Sequence, residues 1–267
     1  MPQYVAVSRE RHGAKKWRRH TSYAFARADD VAPIVGAELS KAALGMPCAF
    51  VEQEQRYKLV ALLSLVPGRN MFVGPDGHWL GAYIPAGLRF YPFRLLPQEG
   101  TDDAMLCVDE HSGLVMDADA GGEPFIDADG KLAPPLRLVL DGLTQLERSQ
   151  RATALAVASL VEAGIIRPWQ IKLKTETGQR SAIGLHCVDE GALGRLGDDA
   201  FIRLRATSGL SVAYAQLLSM GNLPMFDQIS RTQRPPPAQM PTTLIGNLPE
   251  TLDGLLENLK DDLIKGR

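Results

Sequence analysis

The residues best suited to chemistry fall in two short segments. In HWLGAYIPAGLRFYPF, residues 78–93, five of the chain's 17 aromatic residues crowd around one cation, Arg89. Trp79, Tyr83 and Tyr91 can stack on a flat ligand, and a guanidinium can grip a carboxylate or phosphate through two parallel hydrogen bonds. Asn70, a little upstream, adds an amide. In CVDEHSG, residues 107–113, Asp109, Glu110 and His111 close an apolar run. Two carboxylates and an imidazole could exchange protons or hold a metal there. Neighbouring residues of an extended strand face opposite sides, however, so Asp109 and Glu110 would not converge if both were extended. The aromatic segment also has a plainer reading, which residue chemistry alone favours. Trp79 and Tyr83 pack on a sheet, Tyr91 and Phe93 wedge the exit turn, and Pro85 and Pro92 fix the path of the chain.

The familiar catalytic signatures are missing. No G-x-S-x-G, phosphate-binding loop, G-x-G-x-x-G, H-E-x-x-H or C-x-x-C is present. DADAGGEPFIDA, residues 117–128, begins like a calcium loop but places Ala128 where a bidentate glutamate is required. The expectation is therefore no metal and no cofactor, with DADG at 127–130 a plain turn.

Composition bounds the rest. The chain has 267 residues, 45% apolar and 22% charged, with a net charge of −2. That is ordinary globular composition, long enough to bury a core without disulfides. Cys48, Cys107 and Cys187 lie in apolar runs and read as buried thiols of a reducing compartment. No stretch reaches the roughly 18 apolar residues of a membrane span. The expectation is a soluble, cytoplasmic protein. Residues 1–20 hold six Lys and Arg against Glu10; they read as a solvated tail, since no recognition motif follows, and nucleic-acid binding is not expected on that pattern.

The elements that must position these residues are moderately legible. Residues 29–47 read as a helix stopped by Gly45 and Pro47. CAFVEQ, YKLVALLSLV, NMFVG and HWLGAYI read as an antiparallel meander, with LVALLSLV inside the sheet. DAMLCVDE is a buried strand and residues 109–135 an irregular excursion. Residues 135–166 carry the longest helical pattern, and residues 169–190 the clearest hairpin. Three shorter helices follow, the second capped by Asp198. Four prolines interrupt residues 231–243, a linker. Beyond it, residues 244–267 put Leu252, Leu255, Leu256, Leu259 and Leu263 on one helical stripe. A lone helix of about 15 residues is marginal in water, so this one must dock on its own domain or on another chain. The fold class expected is α+β: a mainly antiparallel sheet with packed helices over 1–230, then linker and amphipathic helix.

Several stretches, in order, resemble the bacterial SapC family, named for a protein of a surface-layer locus. They include VAPIVGAELSKAALGMPCAFV, LVPGRNMFVGPDGHWLGAYIPAGLRFYPF, MLCVDEHSG, LTQLERSQRAT, GIIRPWQIKL and YAQLLSMGNL, and the likeness covers about residues 4–227. An unrelated transporter permease shares the name, and the lack of apolar spans sets it aside. The resemblance implies a soluble protein often encoded near TonB-dependent receptors, halogenase-like flavoproteins and cupin-like proteins. It supplies no catalytic residues. Where the family typically has CIDEDSP this chain has CVDEHSG, and for YIPAYLRRYPF it has YIPAGLRFYPF, so His111, Gly87 and Phe90 depart from the pattern. The expected function is that of a non-catalytic accessory protein, with a protein partner or a second copy docking on the tail. The alternative is an enzyme or small-molecule binder using Asn70, Trp79, Tyr83, Arg89, Tyr91, Asp109 and Glu110.

Overall fold

The computed structural model describes residues 3–98, 100, 104–175 and 178–233. Leu252, Leu255, Leu256, Leu259 and Leu263, with all but the start of the proline-rich segment, lie outside the described residues.

The chain first forms β1 (Tyr4–Ala6), the single turn α1 (Arg9–His12), β2 (Lys15–Trp17), β3 (Val31–Pro33) and α2 (Leu39–Gly45). The hairpin β4 (Cys48–Gln53) and β5 (Arg56–Leu62) follows, then α3 (Ala86–Arg89), β6 (Phe93–Pro97), β7 (Ala104–Asp109), β8 (Val115–Asp117) and β9 (Glu123–Pro124). The long helix α4 (Pro134–Glu162) leads into β10 (Ile166–Pro168), β11 (Ile171–Thr175), β12 (Gly178–Ala182) and β13 (Leu185–Val188). Four helices finish the described chain: α5 (Glu190–Leu193), α6 (Asp198–Ala206), α7 (Gly209–Ser219) and α8 (Met225–Gln233).

Among the described residues all strand pairs are antiparallel, and the fold is α+β. The largest sheet runs β10-β13-β4-β5-β3; β5, whose second half Leu59–Leu62 is wholly apolar and buried, has a partner on each side, as that run demands. Phe50, Leu62, Met46 and Cys187 of this region pack with Ala156, Val157 and Leu160 of α4 and with Val212 and Ala213 of α7. A second core joins the sheets β1-β7-β6 and β8-β2-β9. Trp17, Phe93, Val108 and Phe125 meet there with Leu136, Val139 and Leu143 from the first half of α4. One helix of 29 residues, about 44 Å long at 1.5 Å per residue, thus serves both cores with different ends. Its polar middle, ERSQR, lies between them and carries the exposed Glu147–Arg151 pair at 2.6 Å.

Four expectations are corrected. Residues 29–47 are not one helix: Val31–Pro33 pairs with Val60–Leu62 as the edge strand β3, a 3-10 turn follows, and α2 begins only at Leu39. Pro33 offers no N–H and its β-branched neighbours favour extended backbone, so the edge of a sheet suits this run better. The meander stops at β5; NMFVG and HWLGAYI contribute a single bridge, Val73↔Trp79. Gly81 is pressed against Phe72, where a Cβ would lie 2.7 Å from the ring. Asp198 is not the cap of α6 but its first residue, after Gly197. Residues 4–17 are folded into β1, α1 and β2 rather than forming a solvated tail, with His12 and Trp17 buried. The hairpin of β11 and β12 and the DADG turn, where Asp127 Oδ1 accepts from Asp129 N at 3.0 Å, form as expected.

Among the described residues, no helix is long and apolar enough to cross a membrane. The three cysteines are free and buried, and burial pushes the Cys48 thiol up to about 12.

Candidate functional site

The seven residues singled out from sequence separate into three groups and one outlier. The outlier is Asn70, which is buried and spent on backbone. Its Nδ2 donates to Ala26 O at 3.0 Å and its Oδ1 accepts from Phe72 N at 2.9 Å.

The first group is built around an acid that sequence reading missed. Glu38, 5% exposed, sits at the start of α2 and accepts three hydrogen bonds. Oε1 takes Val35 N at 2.9 Å, while Oε2 takes both the Tyr83 hydroxyl and Ala86 N at 2.8 Å. A carboxylate with three donors repays its own burial and fixes the loop that leads into α3. The Tyr83 oxygen in turn accepts from Arg89 Nη2 at 3.0 Å, and the Arg89 guanidinium carbon lies 5.4 Å from the centre of the Tyr83 ring. Trp79 braces the loop from behind, stacked on Phe72 and donating Nε1 to Tyr83 O at 2.7 Å. Burial first, then the bond to Glu38, push the Tyr83 phenol up to about 12.

Tyr91 and Asp109 make the second group. Asp109, 3% exposed, accepts from Tyr91 OH at 3.1 Å, from Gln3 N at 2.8 Å and from His111 N at 3.1 Å. The Tyr91 ring stacks on Phe25 at 3.8 Å, and its carbonyl accepts from His20 Nδ1 at 2.8 Å. Burial and the neighbouring Asp109 push the Tyr91 phenol up to about 12. Burial lowers His20 below the usual histidine value, which favours the neutral ring.

Glu110 belongs to neither. It turns to α1, where Arg11 grips it with two bonds of 2.8 and 2.6 Å, and Lys15 Nζ stands 3.7 Å away. The guanidinium bonds hold its carboxyl down to about 2. Buried His12 comes within 3.2 Å of Glu110 but off the hydrogen-bonding direction. Asp109 and Glu110 therefore diverge: Asp109 closes β7 and caps the 3-10 turn that Glu110 begins. The basic residues 11 and 15 serve as the clamp on β7's end.

Arg89 and Tyr91 meet again at an open cleft of about 430 Å³. Arg19, His20, Tyr23 and Leu138 line it with them, none of them among the site residues singled out from sequence. The aromatic trio His20, Tyr23 and Phe25 lies within a few residues of Arg19 and was the signal available. Tyr23 also meets Trp79 edge-on at 5.5 Å, which links the cleft to the first group. Among the described residues, no group of three or more His, Cys, Asp or Glu is arranged to hold a metal ion.

The order of motifs agrees with one comparison: a family model described as SapC matches residues 7–225, most of the chain. The chain belongs to the SapC family. No curated protein and no solved structure matches it. Several polar residues of the recognised SapC segments do structural work here. In YAQLLSMGNL, Gln216 bridges β13 and β4, Ser219 Oγ accepts from Cys48 N at 2.9 Å, and Asn222 Nδ2 donates to Ala43 O at 2.7 Å. The departure at Phe90 is accommodated by Gly142 of α4, where a Cβ would lie 2.6 Å from the Phe90 ring. At Gly87 there is open space, so a larger residue would fit.

Proposed function

We propose that this SapC protein is a non-catalytic accessory protein that acts by binding. One observation carries the reading: Glu110, Tyr83 and Tyr91 are each engaged by a partner and pushed further from neutrality. A general acid or base works best with a pKa near the working pH. Glu110 is held at about 2, Tyr83 and Tyr91 at about 12, and Asp109 and Glu38 each accept three hydrogen bonds. The setting proposed is the cytoplasm, supported by three free buried thiols. The family context makes surface-layer or TonB-dependent uptake systems the place to look for the partner.

The tail supplies the docking element in this reading. A domain over 1–230 carries a linker, 231–243, and an amphipathic helix, 244–267, whose Leu252, Leu255, Leu256, Leu259 and Leu263 form the contact stripe. Sedimentation equilibrium of the full chain and of a 1–230 truncation tests it. The full chain is expected above its monomer mass of 29.1 kDa and the truncation at its own monomer mass. Leu255→Glu with Leu259→Glu in the full chain is expected to reproduce the truncation. Monomeric masses for both chains would contradict assembly of copies through the tail.

A further inference from the structure

The open cleft has a chemistry of its own, independent of the tail. Its lining holds two guanidiniums, Arg19 and Arg89, and no acid. Among the described residues neither arginine has an ion pair, and the Arg19 side chain makes no hydrogen bond. Arg89 is nevertheless held in place. It donates to the Tyr83 hydroxyl and lies over the Tyr83 ring, while Tyr83 donates to Glu38. The carboxylate thus anchors the arginine through a neutral phenol rather than by pairing with it directly. The positive charge is positioned without a direct ion pair, which lowers the ordering cost of binding an anion.

The walls are flat and apolar. Tyr23, Phe90 and Tyr91 present rings, backed by the buried Trp17 and Phe93, and Leu138, 66% exposed on α4, forms an aliphatic lip. Trp17 is almost fully buried, and its indole N–H has no hydrogen-bond partner among the described residues. A lone exposed leucine on a soluble surface is ordinary; one at the mouth of an aromatic cleft with two unmatched cations is a combination that recognises amphipathic anions. A volume of about 430 Å³ lies in the usual range for small-molecule sites. We propose that this cleft binds a small organic anion with an aromatic or flat apolar body, its charged head drawn to Arg89 and Arg19 and its body laid against the ring wall and Leu138.

The test uses two fluorescent probes on the full chain. One is 8-anilinonaphthalene-1-sulfonate; the other, N-phenyl-1-naphthylamine, has the same ring system without the sulfonate. The sulfonate is expected to bind saturably at one site. Arg19→Ala and Arg89→Ala together should weaken it about tenfold or more, the effect of losing hydrogen bonds to a charged group. Leu138→Glu, which puts a like charge at the lip, should weaken it similarly. Binding of the uncharged probe should change less than twofold in the arginine variants. Because Arg89 also touches Tyr83, Arg19→Ala alone is the control for folding, and each variant is compared at a thermal midpoint matching wild type. A sulfonate affinity unchanged in the double arginine variant, or no saturable site in the wild type, overturns the proposal. An equal loss of both probes would also overturn it, because the cleft would then select for apolar bulk alone.

Discussion

Glu38→Ala is expected to cost about 3–5 kcal/mol of stability, a large effect for a single substitution. The loss does not come from one weak bond. Removing the carboxylate leaves Val35 N and Ala86 N buried without acceptors and strands the Tyr83 hydroxyl, which donated its hydrogen bond to the same group. Water cannot easily make up the deficit, because Val35 and Ala86 are themselves buried. At about 2–4 °C per kcal/mol for a domain of this size, the thermal midpoint should fall by roughly 10 °C. Glu38→Gln keeps one acceptor oxygen and should recover part of the loss. Circular dichroism melts of both variants check this; an alanine variant within 0.5 kcal/mol of wild type, about the scatter of ordinary surface changes, would mean that the loop before α3 is held by something else.

The second large effect is at Gln216, which has no exposed surface. Its Oε1 accepts from Val188 N at 2.9 Å and its Nε2 donates to Cys48 O at 3.1 Å, so one side chain from α7 stitches β13 to β4 where those two strands leave their shared ladder. Gln216→Leu keeps most of the volume but leaves both main-chain groups buried and unpaired. The expected cost is about 2–4 kcal/mol, in line with the penalty for two unsatisfied groups. Urea unfolding measures it. A midpoint unchanged from wild type would show that the strands close without the bridge. Ser219 shares the site, accepting from Cys48 N and donating to Gln216 O, so the effects of Gln216 and Ser219 substitutions should not add.

What the sequence made legible follows from the range of the interactions involved. Helix α4 announces itself over 29 residues because its apolar stripe repeats locally and Gly164 ends it. The β11–β12 hairpin is equally local. The errors lie where distant partners decide. Val31–Pro33 is a strand only because β5 offers it an edge, and three-residue strands such as β1 and β2 have no periodicity to read; β1 is held by Asp109 and Val108, about a hundred positions on. The same rule governs the candidate site. Tyr83, Arg89 and Tyr91 were visible as a cluster of rings around one cation. Their organisers were not: Glu38 is a single acid in an apolar run, 45 positions from the hydroxyl it holds. Arg19 and Leu138 reach the cleft from elements on either side of that segment. Asp109 and Glu110 were the reverse case, chemically suggestive neighbours that part where β7 gives way to a 3-10 turn and reach different partners.

Titration of the engaged groups tests most directly whether this site binds rather than catalyses. Carbon-13 label at the ζ position of the six tyrosines and at the glutamate carboxyls can be followed by NMR from acid to alkaline pH. The account predicts that Tyr83 and Tyr91 stay protonated until about 12 and that Glu110 stays ionised down to about 2. A Tyr83, Tyr91 or Glu110 that titrates within about one unit of neutrality, where an acid–base catalyst would have to work, would contradict it.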